Sequence, residues 1–496
     1  MPAQPRFRLI VALVFGLSLT TLAVGGCSLL RTTTPPAPLV DYRPMLRKSF
    51  VLAADQMAAL PNYSITVEVN PAGRAYTGTL DVTIPITGDY AIGDLYFRLY
   101  PNLAQFGGEA EVNSMRVNGL TPSYGYEANN TAIHIPLPVP IDPGTSARVE
   151  MGFSGKLPAR KAGSYSIFGL NGDELSLSNF YPILAGHRGE EWALDVANPQ
   201  GDVGFHDAAF YRVTVIAPAD EVIAATGAMI TRTEDSNGLA TTGFVLGPAR
   251  EFTAIMSPRF QTQEAYAYGT IVRSYYFPED AVAGRSALYD AVAALQIYSD
   301  QYGPYPYEEM SVVEAPLTFH GMEFPGLSLI GRDAYGRYAA DLEKLVVHEV
   351  AHQWWYNQVG SDQTGNPWLD EGLAEYSMYY YFQDRHGVPA ARTLRRTRWE
   401  APVAAAVKSG IDAPIGQPIT AYPKNYETMI YGKGALFFAT LRDTVGDETF
   451  QQILRTYLVR NRWQIATPEG FRAVAEEVSG QDLSELFDKW VGPGPS

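Results

Sequence analysis

At 496 residues, 46% of them hydrophobic, the chain is long enough for two or three domains with full cores. A net charge of −16, with no cluster of Lys and Arg, argues against a nucleic-acid partner, which needs a basic surface. One cysteine excludes an internal disulfide and any cysteine-based zinc site.

Residues 1–26 read as an export signal, with Arg6 and Arg8 as a basic start and an uncharged, largely apolar run from Leu9 to Val24. The run ends in Val24-Gly25-Gly26-Cys27, which resembles the bacterial lipoprotein cleavage box, so Cys27 is the expected lipidation site. The alternative is an uncleaved membrane anchor, since no charge falls between Leu9 and Leu30. Either way the expected location is the bacterial cell envelope, outside the cytoplasm and tethered to a membrane. Residues 27–45, with Thr32-Thr33-Thr34-Pro35-Pro36 and Pro38, read as an extended tether.

Residues 46–258 read as a β-rich N-terminal domain, an antiparallel sandwich or saddle. Tyr63/Ile65/Val67/Val69 and Leu80/Val82/Ile84/Ile86 alternate with period two around an Asn70-Pro71-Ala72-Gly73 turn. The series continues through Leu95/Phe97/Leu99, Ile133/Ile135/Leu137, Val149/Met151/Phe153, Tyr211/Val213/Val215 and Phe252/Ala254. Residues 259–496 read as an α+β, mainly helical domain. Strands are expected near 271–277 and 310–314, and a helix over 280–302 that stops at Gly303-Pro304. A further helix starts with Asn366 as its cap and ends at Gly387, another runs from Thr467-Pro468 to Gly480, and the last reaches Trp490.

Within this second domain lies His348-Glu349-Val350-Ala351-His352. On a helix, residues four apart share a face, so the two imidazoles converge while Glu349 sits to one side, in reach of a water held there. This is the H-E-x-x-H zinc pattern, two nitrogen ligands plus a carboxylate base. A third ligand is expected from Trp368-Leu369-Asp370-Glu371-Gly372, with Asp370 on a different helical face from Glu371.

The eighteen residues between His352 and Glu371, in this Trp-Leu-Asp-Glu-Gly context, resemble the aminopeptidase N family of zinc metallopeptidases, the gluzincins. The resemblance implies a thermolysin-like catalytic domain and one Zn²⁺ per chain, held by His348, His352 and Glu371. Glu375, one turn on, is expected to accept a ring N–H of a ligand histidine. Gly321-Met322-Glu323 resembles the family's G-x-M-E-N segment, which implies that Glu323 binds a substrate's free α-amine beside Gly321 and Met322. His320 and Phe324 depart from that pattern, and His320 is read as a pocket wall. Tyr431-Gly432-Lys433-Gly434 resembles the family's Y-x-K-G element, which implies that Tyr431 donates to the oxyanion, with Tyr426 as a supporting group. The resemblance also implies a glutamine brought to the amine site by the N-terminal domain, which the sequence does not place.

The expected function is therefore a membrane-tethered zinc aminopeptidase acting on peptides with a free N-terminus, Glu349 serving as base. Familiar members continue into a large helical domain that closes over the site, and the chain reads as a short form without it. This leaves two alternatives: a zinc endopeptidase with an open cleft, or a catalytically silent binding lipoprotein on the same fold.

Overall fold

The computed structural model describes residues 41–57, 59–159, 167–189, 191–195, 201, 202, 204–317 and 321–492. The export signal, Cys27 and His320 lie outside the described residues. Among the described residues no helix is long and apolar enough to cross a membrane. Within the stretch read as a tether, Tyr42 and Met45 are buried. The aromatic ring stacks on Phe210, 4.3 Å between centroids, and the backbone around Met45 pairs with residues 306–308.

A seven-stranded sheet forms the first part of the fold, in the spatial order Ala228–Glu234, Leu239–Ala249, Ala209–Pro218, Asn62–Asn70, Ala75–Pro85, Ser146–Lys156 and Glu109–Val117. The alternation read from Tyr63 to Val69 buries each of those residues on one face, and Asn70 Oδ1 accepts the Gly73 N–H to close the expected turn. The sheet departs from the antiparallel expectation at one place. Asn62–Asn70 runs parallel to Ala209–Pro218. More than a hundred residues separate those strands, so the chain has the long crossover that parallel pairing needs, and nothing local signals it.

A four-stranded sheet, including Glu174–Ser178 and Thr253–Ser257, leads to the second part. There a five-stranded sheet has the order Gln261–Ala267, Thr270–Tyr276, Glu309–Ala315, Leu327–Gly331 and Gly321–Phe324. Its edge is Gly321–Phe324, the segment resembling G-x-M-E-N. Helices cover it, beginning with Ala281–Tyr302 as expected. The helix expected from Asn366 begins at Trp368, with Pro367 at the cap, because the Asn366 N–H is drawn back to the Asp362 carbonyl. Thr467 does cap its helix, its hydroxyl accepting the Gly470 N–H, and Gly480 ends it in the left-handed conformation.

Two arginine-centred devices fasten the sheets together. Arg250, fully buried, donates to the carbonyls of Tyr356 (2.7 Å), His206 (3.0 Å) and Gln464 (2.9 Å), so three distant segments share one guanidinium. Arg332 bridges Glu174 at 2.6 Å and Glu314 at 3.1 Å while lying over the Phe277 ring. Burial pushes Glu174 up to about 8 and Glu314 up to about 7. Both folded-state values exceed the ordinary carboxylate range, so the folded chain binds protons that the unfolded chain gives up. The stability they contribute is complete below about pH 4.5 and is lost as pH rises through 7 to 8. Melting temperature should therefore fall between pH 5 and 9, and Glu174→Gln should flatten that fall, as read by circular dichroism melts across the range. A variant as pH-sensitive as the parent would remove Glu174 from the account.

Candidate metal centre

The helix Leu342–Ala351 carries His348 and Glu349, and His352 caps its C-terminal end in a helical conformation. The helix Trp368–His386 presents Glu371 in its first turn. All three expected ligands are buried, and their donor atoms meet at one point. His348 Nε2 lies 3.1 Å from Glu371 Oε2, His352 Nε2 lies 3.2 Å from His348 Nε2, and His352 Nε2 lies 3.3 Å from Glu371 Oε2. Tetrahedral bonds of about 2.0–2.1 Å place neighbouring ligand atoms roughly 3.3–3.4 Å apart. The triad thus has the edge lengths of one face of such a tetrahedron.

The remaining ring nitrogens are held from behind. His352 Nδ1 lies 2.8 Å from the Trp355 carbonyl, which fixes its N–H there and turns the Nε2 lone pair into the site. His348 Nδ1 faces Glu375 Oε2 at 3.4 Å, the arrangement expected for Glu375. Glu375 is itself fully buried and receives donors from Arg398 Nη2 (3.0 Å) and Trp399 Nε1 (2.7 Å). Although burial opposes its charge, Arg398 and His348 hold its carboxyl down to about 2. Burial likewise opposes charge on His348, but Glu371 and Glu375 outweigh it and raise the imidazole to about 9. Such a site is built to hold positive charge. Asp370 is no ligand of the triad, for its Oδ1 accepts the Glu371 backbone N–H.

Glu349 is buried, with Oε2 lacking any hydrogen-bond partner, and burial pushes it up to about 8. Gly321 makes room for it. A Cβ at position 321 would fall 2.2 Å from Glu349 Oε1. Gly321→Ala should therefore leave the melting temperature nearly unchanged, because a side-chain end can yield, yet lower kcat by displacing the base. Measured together, a full-rate Gly321→Ala would show that the carboxylate has room to spare.

Glu323 accepts from Gln363 Nε2 at 2.9 Å, and its carbonyl accepts from Asn357 Nδ2, also at 2.9 Å. Among the described residues the glutamine against Glu323 is thus one from the loop between the two helices. Among the described residues of the N-terminal domain, Asp202 acts on this site, its carboxyl raised by burial and by Glu323, Glu371 and Asp370. Gln353 ties helix to strand: its Nε2 donates to the Phe324 carbonyl and its Oε1 accepts the Gly326 N–H. Met322 is buried beside Glu323.

Tyr431 lies in the π-helical turn Glu427–Lys433, a wide turn of the kind that recurs at functional sites. Its hydroxyl donates to Glu371 Oε1 at 2.6 Å. Two glycines set this distance. Gly372 and Gly434 are in backbone contact, a Cβ on Gly434 falling 3.1 Å from the Gly372 Cα, so the following helix closes on the Glu371 helix. Tyr426 meets Tyr431 edge-on at 6.0 Å, its buried hydroxyl without a partner.

Fold and site together form a two-histidine, one-glutamate centre on neighbouring helices, with a separate carboxylate and an edge strand alongside. Residues 286–490 match the peptidase family M1 domain. The chain is 25% identical over 460 residues to Aminopeptidase M1-A of Oryza sativa subsp. japonica, covering 88% of this chain and 50% of that one. It is 23% identical over 471 residues to Aminopeptidase N of Lactococcus lactis subsp. lactis, covering 87% and 50%. The chain thus spans about half the length of these relatives. Its fold is shared with the M1 zinc metallopeptidase of Deinococcus radiodurans, at a TM-score of 0.65 and 21% identity over 87% of this chain and 92% of that one. A mutant of that enzyme has been solved bound to a Tyr-Ser-Ala substrate and superposes with a TM-score of 0.66, at 21% identity over 88% of this chain and 94% of that one.

Proposed function

We propose that this protein is a zinc aminopeptidase that removes N-terminal residues from peptides, anchored by lipid at Cys27 on the outer side of a bacterial membrane. The observation that carries the activity is the placement of Glu323. A buried carboxylate, held by Gln363, lies within 4.8 Å of Glu349 and His352. An ammonium ion paired with it is kept close to the base, so the first peptide bond of a substrate is the one presented. The carboxylate and the charged N-terminus form a charge-assisted pair, which fixes register as well as affinity.

His348, His352 and Glu371 would hold one Zn²⁺, which when bound supplies water activation and polarisation of the scissile carbonyl. Glu349 takes the proton of the attacking water and passes it to the leaving amine, a use that suits a carboxyl raised towards neutrality. Tyr431 turns its hydroxyl from Glu371 Oε1 to the oxyanion as charge develops there. Tyr426, Met322 and Gly321 line the pocket for the first residue. Glu375, braced by Arg398 and Trp399, keeps the His348 ring in register.

The test is hydrolysis of a panel of aminoacyl-p-nitroanilides by the full chain in detergent, each compared with its N-acetylated form, with and without a chelator. Chelator-sensitive cleavage of free-amine substrates alone is the expected result. Cleavage of blocked peptides would make the protein an endopeptidase. Silence with zinc bound would make it a binding lipoprotein. Labelling with radioactive palmitate, lost in Cys27→Ser, checks the anchor.

A further inference from the structure

Glu323 is held by Gln363, and the turn that carries Gln363 is held from the N-terminal domain. Asp362, the preceding residue, pairs with Arg188 at two points: Nε lies 2.5 Å from Oδ2 and Nη2 lies 2.9 Å from Oδ1. The same aspartate shapes the loop. Its Oδ1 accepts the Thr364 N–H at 3.2 Å and the Gly365 N–H at 2.9 Å, and its carbonyl accepts the Asn366 N–H at 2.7 Å. A Cβ at position 365 would fall 2.5 Å from Asp362 Oδ2, so glycine leaves the turn room to close. An aspartate bonded to the amides just beyond it fixes the course of the residue it encloses. That residue is Gln363, buried, with Nε2 2.9 Å from Glu323 Oε1.

Arg188 is fixed in its turn. It lies on the short strand His187–Arg188, paired with Glu191–Trp192. Its Nη1 donates to Asp195, and its guanidinium lies over the Phe205 ring, 5.0 Å from the centroid. Gly204, beside Phe205, passes the Gln363 side chain so closely that a Cβ there would stand 3.5 Å from Gln363 Oε1. The N-terminal domain therefore meets this loop at the turn and at the glutamine. A planar fork on a carboxylate fixes direction as well as distance, which a single-point ion pair does not.

We propose that Arg188 is a positioning residue for free-amine recognition: through Asp362 and Gln363 it aims Glu323 at the substrate's N-terminus. The proposal rests on the aminopeptidase reading above, which gives Glu323 that partner. The contacts run from guanidinium to carboxylate, from carboxylate to loop amides, and from glutamine to Glu323. None of them includes His348, His352 or Glu371. An ammonium held by Glu323 is held alike before and during the reaction, so its misplacement is read in KM and not in kcat.

The zinc-loaded full chain should be assayed in detergent with leucyl-p-nitroanilide and its N-acetylated form. Leucinamide and acetohydroxamate serve as competing inhibitors, the second reaching zinc without an ammonium group. Arg188→Ala should raise KM for the free-amine substrate about tenfold and weaken leucinamide equally, with kcat within about twofold of the parent. Inhibition by acetohydroxamate should be unchanged. Arg188→Lys, which keeps the charge and loses the fork, should fall between the two, and it carries the same test if Arg188→Ala does not fold. In a Glu323→Gln background either substitution should add little, because its route to the substrate is already cut. Parent KM in the Arg188 variants, equal weakening of acetohydroxamate, or an effect that adds in full to Glu323→Gln overturns the proposal. A parent chain that cleaves the acetylated substrate as readily as the free one overturns the aminopeptidase reading instead, so the two failures are distinguishable.

Discussion

Glu349→Gln is expected to lower kcat by on the order of 10³-fold while the chain keeps its fold and its tight zinc. The carboxylate sits beside the metal triad and is not one of its three converging atoms, so the substitution removes a proton acceptor without removing a ligand. Glutamine has the same shape, and the space left by Gly321 accommodates it as it does the acid. The contrasting variant is His352→Ala. It deletes a ligand whose ring is locked to the Trp355 carbonyl, and it should abolish activity through loss of zinc, recovering little when zinc is added. Single-turnover rates and metal content on the same preparations separate the two. If Glu349→Gln retained parent kcat, another group would have to be moving the proton. If it lost zinc, Glu349 would be a ligand and the assignment of Glu371 would fall.

Much of this centre was legible in the chain because its parts are local. Two histidines four apart, a glutamate one turn into the next helix and a tyrosine ahead of a Gly-Lys-Gly run are each read within a few residues. The strand alternation from Tyr63 to Val69 was equally local, and each of those residues is buried. What escaped was whatever depends on two distant segments meeting. Gln363 has no signature until the loop folds against Glu323, and Arg398 and Trp399 have none until their π-helical turn packs on Glu375. The parallel pairing of Asn62–Asn70 with Ala209–Pro218 is likewise invisible to any window shorter than the crossover. Gln353 marks the boundary between the two kinds of knowledge. It directly follows a ligand, yet only the fold shows that it holds the edge strand to the helix.

Tyr431→Phe should cost about 10²–10³-fold in kcat and leave KM nearly unchanged. The ring lies against His348, with 5.6 Å between centroids, and removing one oxygen leaves that packing intact. The hydroxyl has two claimants in turn. With no substrate present it donates to Glu371 Oε1, and in the transition state a developing oxyanion is the stronger acceptor. Only the second of these partnerships speeds the reaction, because it is made where charge appears and is absent in the ground state. The first has its own measurable consequence. Without the hydroxyl, Glu371 loses a buried donor, and zinc affinity should shift by about tenfold even though no ligand has changed. Rates taken at saturating zinc isolate the oxyanion effect, and a chelator competition isolates the ligand effect. A Tyr431→Phe variant with normal kcat and weakened zinc would reassign the tyrosine to holding Glu371, and the donor to the oxyanion would then have to be sought at Tyr426, whose buried hydroxyl is unpaired.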